Sequence, residues 1–172
     1  MLQLINRFVD ICLLRRGPQD LPTSTVLTGL CILAYFGLAT GSEVILGKPE
    51  RALTWGLAAI AIMLAVVYGL LAYRRVPSRF PQTTSALAGC GALYLMIYLP
   101  LSAALISEPG QASAMSSFLF LTWVVVFFWG FLIEGHIYRH ALSISLPAGV
   151  LVSTLMFALV TVIYHGIFGA QG

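Results

Sequence analysis

Five stretches of this chain, at about 23–44, 51–73, 83–106, 116–138 and 147–168, run for roughly 20 residues each with almost no charge inside them. That length and composition let a helix cross the hydrocarbon core of a bilayer. Only 9% of the residues are charged, against about 25% in a soluble domain, and the mean hydropathy is +0.95. The expected fold is all-α: a polytopic membrane bundle of five transmembrane helices. Spans of about 22 residues use roughly 110 of the 172, which leaves less than a stable soluble domain between them.

Turn chemistry separates the runs. Gly17-Pro18 breaks the opening segment, and Asp20 is placed to cap the first span, with Pro22 where a missing N–H does no harm. GKPER, VPSRFPQ and SEPGQASAM divide the next four spans, and Pro147 opens the fifth. Pro100 falls inside the third span and predicts a kink there.

Charge orients the spans. With the N-terminus in the cytoplasm, Arg7, Arg15, Arg16, Arg74, Arg75, Arg79 and Arg139 fall on that side, and only Lys48 and Arg51 on the other. This split supports both the orientation and the count of five, because fusing or dropping a span misplaces the later arginines. The expected location is a bacterial inner membrane, with the C-terminus periplasmic. The net charge of +3 comes from these span-end arginines and not from a basic patch, so no nucleic-acid partner is expected.

The opening segment lacks the long apolar core and the small-residue cleavage site of a signal peptide. Gln3, Asn6, Arg7 and Asp10 recur on one narrow helical face, and apolar residues cover the rest. Residues 1–16 therefore read as an amphipathic helix in the membrane interface, ahead of a single transmembrane domain at 17–172.

Candidate chemistry concentrates in FLIEGHIYRH, residues 131–140. His136 and His140 share a helical face at the spacing of a metal pair, but Glu134 points roughly 160° away from His136 and no third ligand is visible. His165 belongs to the opposite end of the bundle, roughly 20 Å away along the membrane normal. Tyr138, Arg139 and His140 read as the cytoplasmic end of the span. Glu134 lies inside the span, where a lipid-facing carboxylate is costly. Two readings stand for it. One is a structural ion pair or hydrogen bond, with Tyr138 four residues on or with Arg139, Arg74, Arg75 or Arg79. The other is a functional proton or ligand site, with His136 a second candidate for the path. Glu43, at the far end of the first span, reads as exposed, and Tyr164 and His165 as interfacial.

Small residues mark close helix approach: Gly37 with Gly41, and Gly89 with Gly91 inside TSALAGCGA. These faces serve packing within the monomer or contact with another subunit. Cys12, Cys31 and Cys90 have no ligand spacing and read as small hydrophobes. RRGPQDLP reads as a hinge and cap, or as a docking epitope, with Arg15, Arg16 and Asp20 its charged members and the arginines suited to anionic headgroups.

LLRRGPQDLPTS resembles the start of small, uncharacterised inner-membrane proteins of proteobacteria. The layout of a short cytoplasmic head and five spans resembles the Yip family, Rab/Ypt-interacting membrane proteins. That family's Asp-Leu-Tyr-Gly-Pro motif is absent and the head is shorter, so the likeness is one of layout. It implies a membrane scaffold with no catalytic residues. Absent a Ser/His/Asp set, a nucleotide loop or an intramembrane aspartate pair, the expectation is a non-enzymatic scaffold or accessory subunit without cofactors. Its partners would be the lipid bilayer and other membrane subunits or copies of itself. The alternative is a small oligomeric channel or proton-coupled transporter that uses Glu134.

Overall fold

The computed structural model describes residues 2–107 and 114–169. These form α1 (Leu2–Cys12), α2 (Thr25–Ile45), α3 (Pro49–Tyr73), α4 (Phe80–Ser107), α5 (Ala114–Leu142) and α6 (Leu146–Phe168), with 3-10 turns at Pro18–Asp20 and Pro77–Arg79. The fold is the expected all-α bundle, and five helices are long and apolar enough to cross a membrane. Four of the five expected spans lie within one of them and the first begins two residues ahead of α2; no end differs by more than four residues. Most of the SEPGQASAM loop lies outside the described residues.

The ends of the helices explain where the chain turns. Ser24, not Asp20, caps α2: its hydroxyl accepts the Leu27 N–H at 3.3 Å. Leu21 leaves the preceding 3-10 turn in extended conformation ahead of Pro22, so the helix starts later and Asp20 is too far upstream to reach it. The Asp20 carboxylate instead accepts from the Gly17 N–H at 3.0 Å and closes its own turn. Ser145 caps α6 in the same manner as Ser24 caps α2. The C-termini of α1, α3 and α5 close on Leu14, Arg75 and Ser143, all at positive φ. In each case the next N–H bonds back to a carbonyl in the helix: Arg15 to Asp10, Val76 to Leu71, Ile144 to Arg139.

The arginines gather at one end of the bundle, here the basic end. α4 is its centre and packs against α1, α2, α3 and α5. The small residues of TSALAGCGA permit this: Ser85, Ala86, Ala88 and Cys90 are fully buried, with Phe8 of α1 against Gly89 and Thr28 and Tyr35 of α2 against Ser85 and Gly91. At the basic end α5 terminates under two arginines. Arg74 donates to the Leu142 carbonyl at 3.1 Å, and Arg79 to those of His140 and Ala141 and to the Ser143 hydroxyl, at 3.2, 2.9 and 2.9 Å. Positive charge thus sits on the negative end of the α5 dipole.

α1 is amphipathic, and its apolar surface has two parts. Phe8, Ile11 and Cys12 are buried in the same core as α4 and α5, whereas Ile5, Val9 and Leu13 face outward. The first set packs on protein; the second suits lipid. The segment after α1 is held to the bundle by backbone acceptors. Arg16 O meets His136 Nε2 at 2.9 Å, Cys12 O accepts from Trp129 at 3.2 Å, and Leu21 O accepts from Gln82 at 2.8 Å. Arg16 also pairs with Asp10 at 3.1 Å, and Arg15 is exposed.

Elsewhere the surface is that of a membrane protein. Val26, Leu30, Leu33, Phe118, Leu121, Val125 and Val162 are each more than half exposed, which water would penalise and lipid does not. Toward the far end α5 keeps α6, while α3 and α6 approach each other through few residues. Trp55 stands edge-on to Tyr164 at 4.7 Å, and Arg51 lies over the Phe168 ring at 5.3 Å.

Candidate functional site: a carboxylate on an intramembrane cavity

Between α2, α3, α4, α5 and α6 lies a cavity of about 720 Å³, lined mainly by aliphatic and aromatic side chains. The aromatic wall is continuous along α4 and α5. Tyr94 stacks on Tyr98 at 5.3 Å, Tyr98 contacts Trp123 at 5.8 Å, and Trp123 stacks on Phe127 at 5.4 Å. Phe131 and Phe157 continue it, 5.3 Å apart across the α5–α6 contact. Trp123 donates to the Ser102 hydroxyl at 3.1 Å, which fixes the ring against α4.

Glu134 lies on this cavity, eight residues before the end of α5 and so about 12 Å above it. Its side chain is exposed, and what it faces is the cavity between the helices. Tyr35, Tyr94 and Tyr138, from α2, α4 and α5, line the same space. Among the described residues, none of these four side chains has a hydrogen bond or ion pair, although each carries a group that usually finds one when removed from water. The expected structural pairing of Glu134 is therefore not found. Arg74 and Arg79 are taken up by the end of α5, Arg139 is exposed, and the Tyr138 hydroxyl turns to the cavity without bonding the carboxylate.

HIYRH also differs from a simple interfacial ending. Helix α5 runs on to Leu142, Tyr138 is 2% exposed, and His136 is buried. His136 faces away from the cavity, toward Arg16, and its ring meets that of His140 edge-on at 4.6 Å. The shared helical face is as expected, and among the described residues no group of three His, Cys, Asp or Glu side chains is placed to hold a metal. His165 is exposed at the far end.

Glu43 departs from expectation in the opposite sense. It is 3% exposed and accepts from the Tyr164 hydroxyl of α6 at 3.2 Å. The two intramembrane carboxylates thus differ: Glu43 has a donor, and Glu134 has an open volume in front of it.

The small residues split the same way. Gly89 receives the Phe8 ring and Gly91 the Tyr35 ring, so both serve packing within the chain. Among the described residues, nothing lies within 4 Å of a Cβ built on Gly37 or Gly41. The tightest crossing in the bundle escaped the sequence analysis. A Cβ on Gly149 would strike the Gly135 carbonyl, so α5 and α6 touch backbone to backbone one residue from Glu134. Tyr35 and Tyr94 were missed as well. Their signal is position: hydroxyls about 15 and 21 Å inside α2 and α4 lie far deeper than an interfacial belt.

The three cysteines, remote in sequence, are all buried and free. Cys12 and Cys90 are in side-chain contact, and the Cys90 thiol points at the Phe8 carbonyl at 3.7 Å, where they help seat α1.

Chemically, the cavity is lined by two carboxylates, Glu134 and the Tyr164-bonded Glu43, by five tyrosines and by a long aromatic wall. That set can accept a proton, a hydrogen-bond donor or a cation. Comparison with known proteins adds nothing to this reading: no family model, no curated protein and no solved structure matches the chain.

Proposed function

We propose that this chain is a non-enzymatic carrier or channel-like protein of a bacterial inner membrane, which admits a small molecule or proton to the cavity and meets it with Glu134. The observation that carries this reading is an intramembrane carboxylate without a partner among the described residues, facing about 720 Å³ of aromatic-lined space. Structural carboxylates inside membranes are paired; those on an open path are the functional ones. The seven-to-two distribution of Lys and Arg supports a cytoplasmic N-terminus and a periplasmic C-terminus. Reconstituted in liposomes, the wild type should dissipate an imposed proton gradient, alone or with a co-substrate. Glu134→Gln should abolish that flux and leave helical content and elution volume unchanged. Equal flux from the two proteins removes Glu134 from the path.

A second reading, a scaffold or accessory subunit, draws on α2. Leu30 and Leu33 are 60% and 65% exposed and continue toward the open Gly37 and Gly41, a ridge that a helix of another subunit or a second copy fits. Mild-detergent purification followed by mass spectrometry tests it, with Gly37→Leu as the variant that should release a bound subunit.

A further inference from the structure

We infer that the cavity takes a single-chain amphiphile with a cationic head, the head held at Glu134 and the chain laid along the α4–α5 aromatic wall. This rests on the cavity being a binding site, and it names the chemistry of the ligand.

Three observations set that chemistry. The first is charge. Glu134 has no cation near it among the described residues: Arg74 and Arg79 are held at the end of α5, and Arg51 lies over Phe168 at the far end. A carboxylate in a low-dielectric slot is stabilised most by an opposite charge brought in by the occupant. The second is the surround. Tyr35, Tyr94 and Tyr138 line the same cavity as Glu134, and aromatic faces attract an ammonium group more than a neutral or anionic one.

The third is shape. Phe120 and Glu134 both line the cavity and are 134 − 120 = 14 residues apart on α5, about 21 Å along the helix. The lining thus runs lengthwise along α5, from Phe120 past Glu134 to Tyr138, a shape that suits a chain laid along the helix. The far carboxylate, Glu43, is already engaged by Tyr164, so the slot has one acidic end. The occupant therefore has one charged head and an apolar tail.

The test uses the full chain in phosphatidylcholine nanodiscs, with equilibrium dialysis of radiolabelled probe as the readout and protein-free discs as the blank. Dodecyltrimethylammonium, whose charge does not depend on pH, is compared with dodecanol and dodecanoate. The cation should bind saturably, at least about tenfold tighter than either other probe, and Glu134→Gln should remove that preference. Tyr94→Leu, which leaves the carboxylate in place, should weaken the cation several-fold and dodecanol little. It keeps the inference testable if Glu134→Gln does not fold. Val160→Trp fills the slot and should block every probe.

Dodecanol binding as tightly as the cation, with Val160→Trp blocking both, overturns the cationic head and leaves cavity binding standing. Retention of the preference by a folded Glu134→Gln variant overturns the cationic head in the same way. Saturation by no probe, with Val160→Trp indistinguishable from wild type, overturns cavity binding itself, and the inference with it.

Discussion

The two halves of the bundle are built from the same helices and satisfy their interior in opposite ways. At the basic end, small residues of α4 let neighbours close in until Ile11, Val67, Leu71 and Ile137 are at most 1% exposed, and the ends of the chain segments are bonded to arginine, glutamine or histidine. Toward the far end, α4 and α5 carry large rings, α3 and α6 meet through Trp55 with Tyr164 and Arg51 with Phe168, and the space between the walls is left open. One half is a packed core and the other is a lined volume. Glu134 sits at the boundary, with Ile137 buried one turn away and the cavity directly in front. Packing density, not hydrophobicity, separates structure from site here.

The comparison breaks most sharply at the α5–α6 crossing. Gly149→Val places a methyl-bearing carbon where the Gly135 carbonyl stands, with backbone on both sides. The expected result is a loss of about 3 kcal/mol or more, read as aggregation or a large fall in Tm by size-exclusion-monitored unfolding in detergent. A wild-type melting curve would mean that the helices do not cross there.

A matched pair of truncations measures the packing difference itself. Ile137→Ala removes a side chain with 0% exposure and should cost about 2–5 kcal/mol, because the site cannot collapse. Val160→Ala enlarges space that is already open and should cost under about 1 kcal/mol. Similar Tm shifts for the two variants would show the cavity to be closed in the folded protein.

The smallest expected effect lies in the turn that joins α5 to α6. Ser143 holds φ at 54°, a conformation easy for glycine and costly for serine. Ser143→Gly relieves that strain and gives up the Arg79 contact to the hydroxyl, so the net gain should be a few tenths of a kcal/mol and at most about 1 kcal/mol. A loss of more than about 1 kcal/mol in the same melting assay would place the value of this turn in the Arg79 bond.

Particular residues show how far the sequence could be read. The five spans were legible to within a few residues because each is a local property: an apolar run between prolines and charges. The amphipathic character of residues 2–12 was legible for the same reason. Asp20 misled because two candidate caps lie four residues apart, and an extended Leu21-Pro22 step decides between them. Glu43 reads as exposed and is buried, whereas Glu134 reads either as structurally partnered or as a functional site, and the sequence does not choose between them. Nothing along α2 announces that Tyr164, 121 residues later, will cover Glu43.

The sequence by itself determined the helices: their number, their lengths and the face of α1 that is polar. It also placed one acidic group inside the fourth span. Only the tertiary structure decided that this group stands alone on a cavity with Tyr35, Tyr94 and Tyr138. The physical reason is that a helix dictates neighbours only three and four residues away. Partners on other helices depend on how each helix is rotated and how closely it crosses the next. Here those are set by backbone contacts such as Gly135 with Gly149 and by rings seated on Gly89 and Gly91, and such contacts have no local periodicity to read.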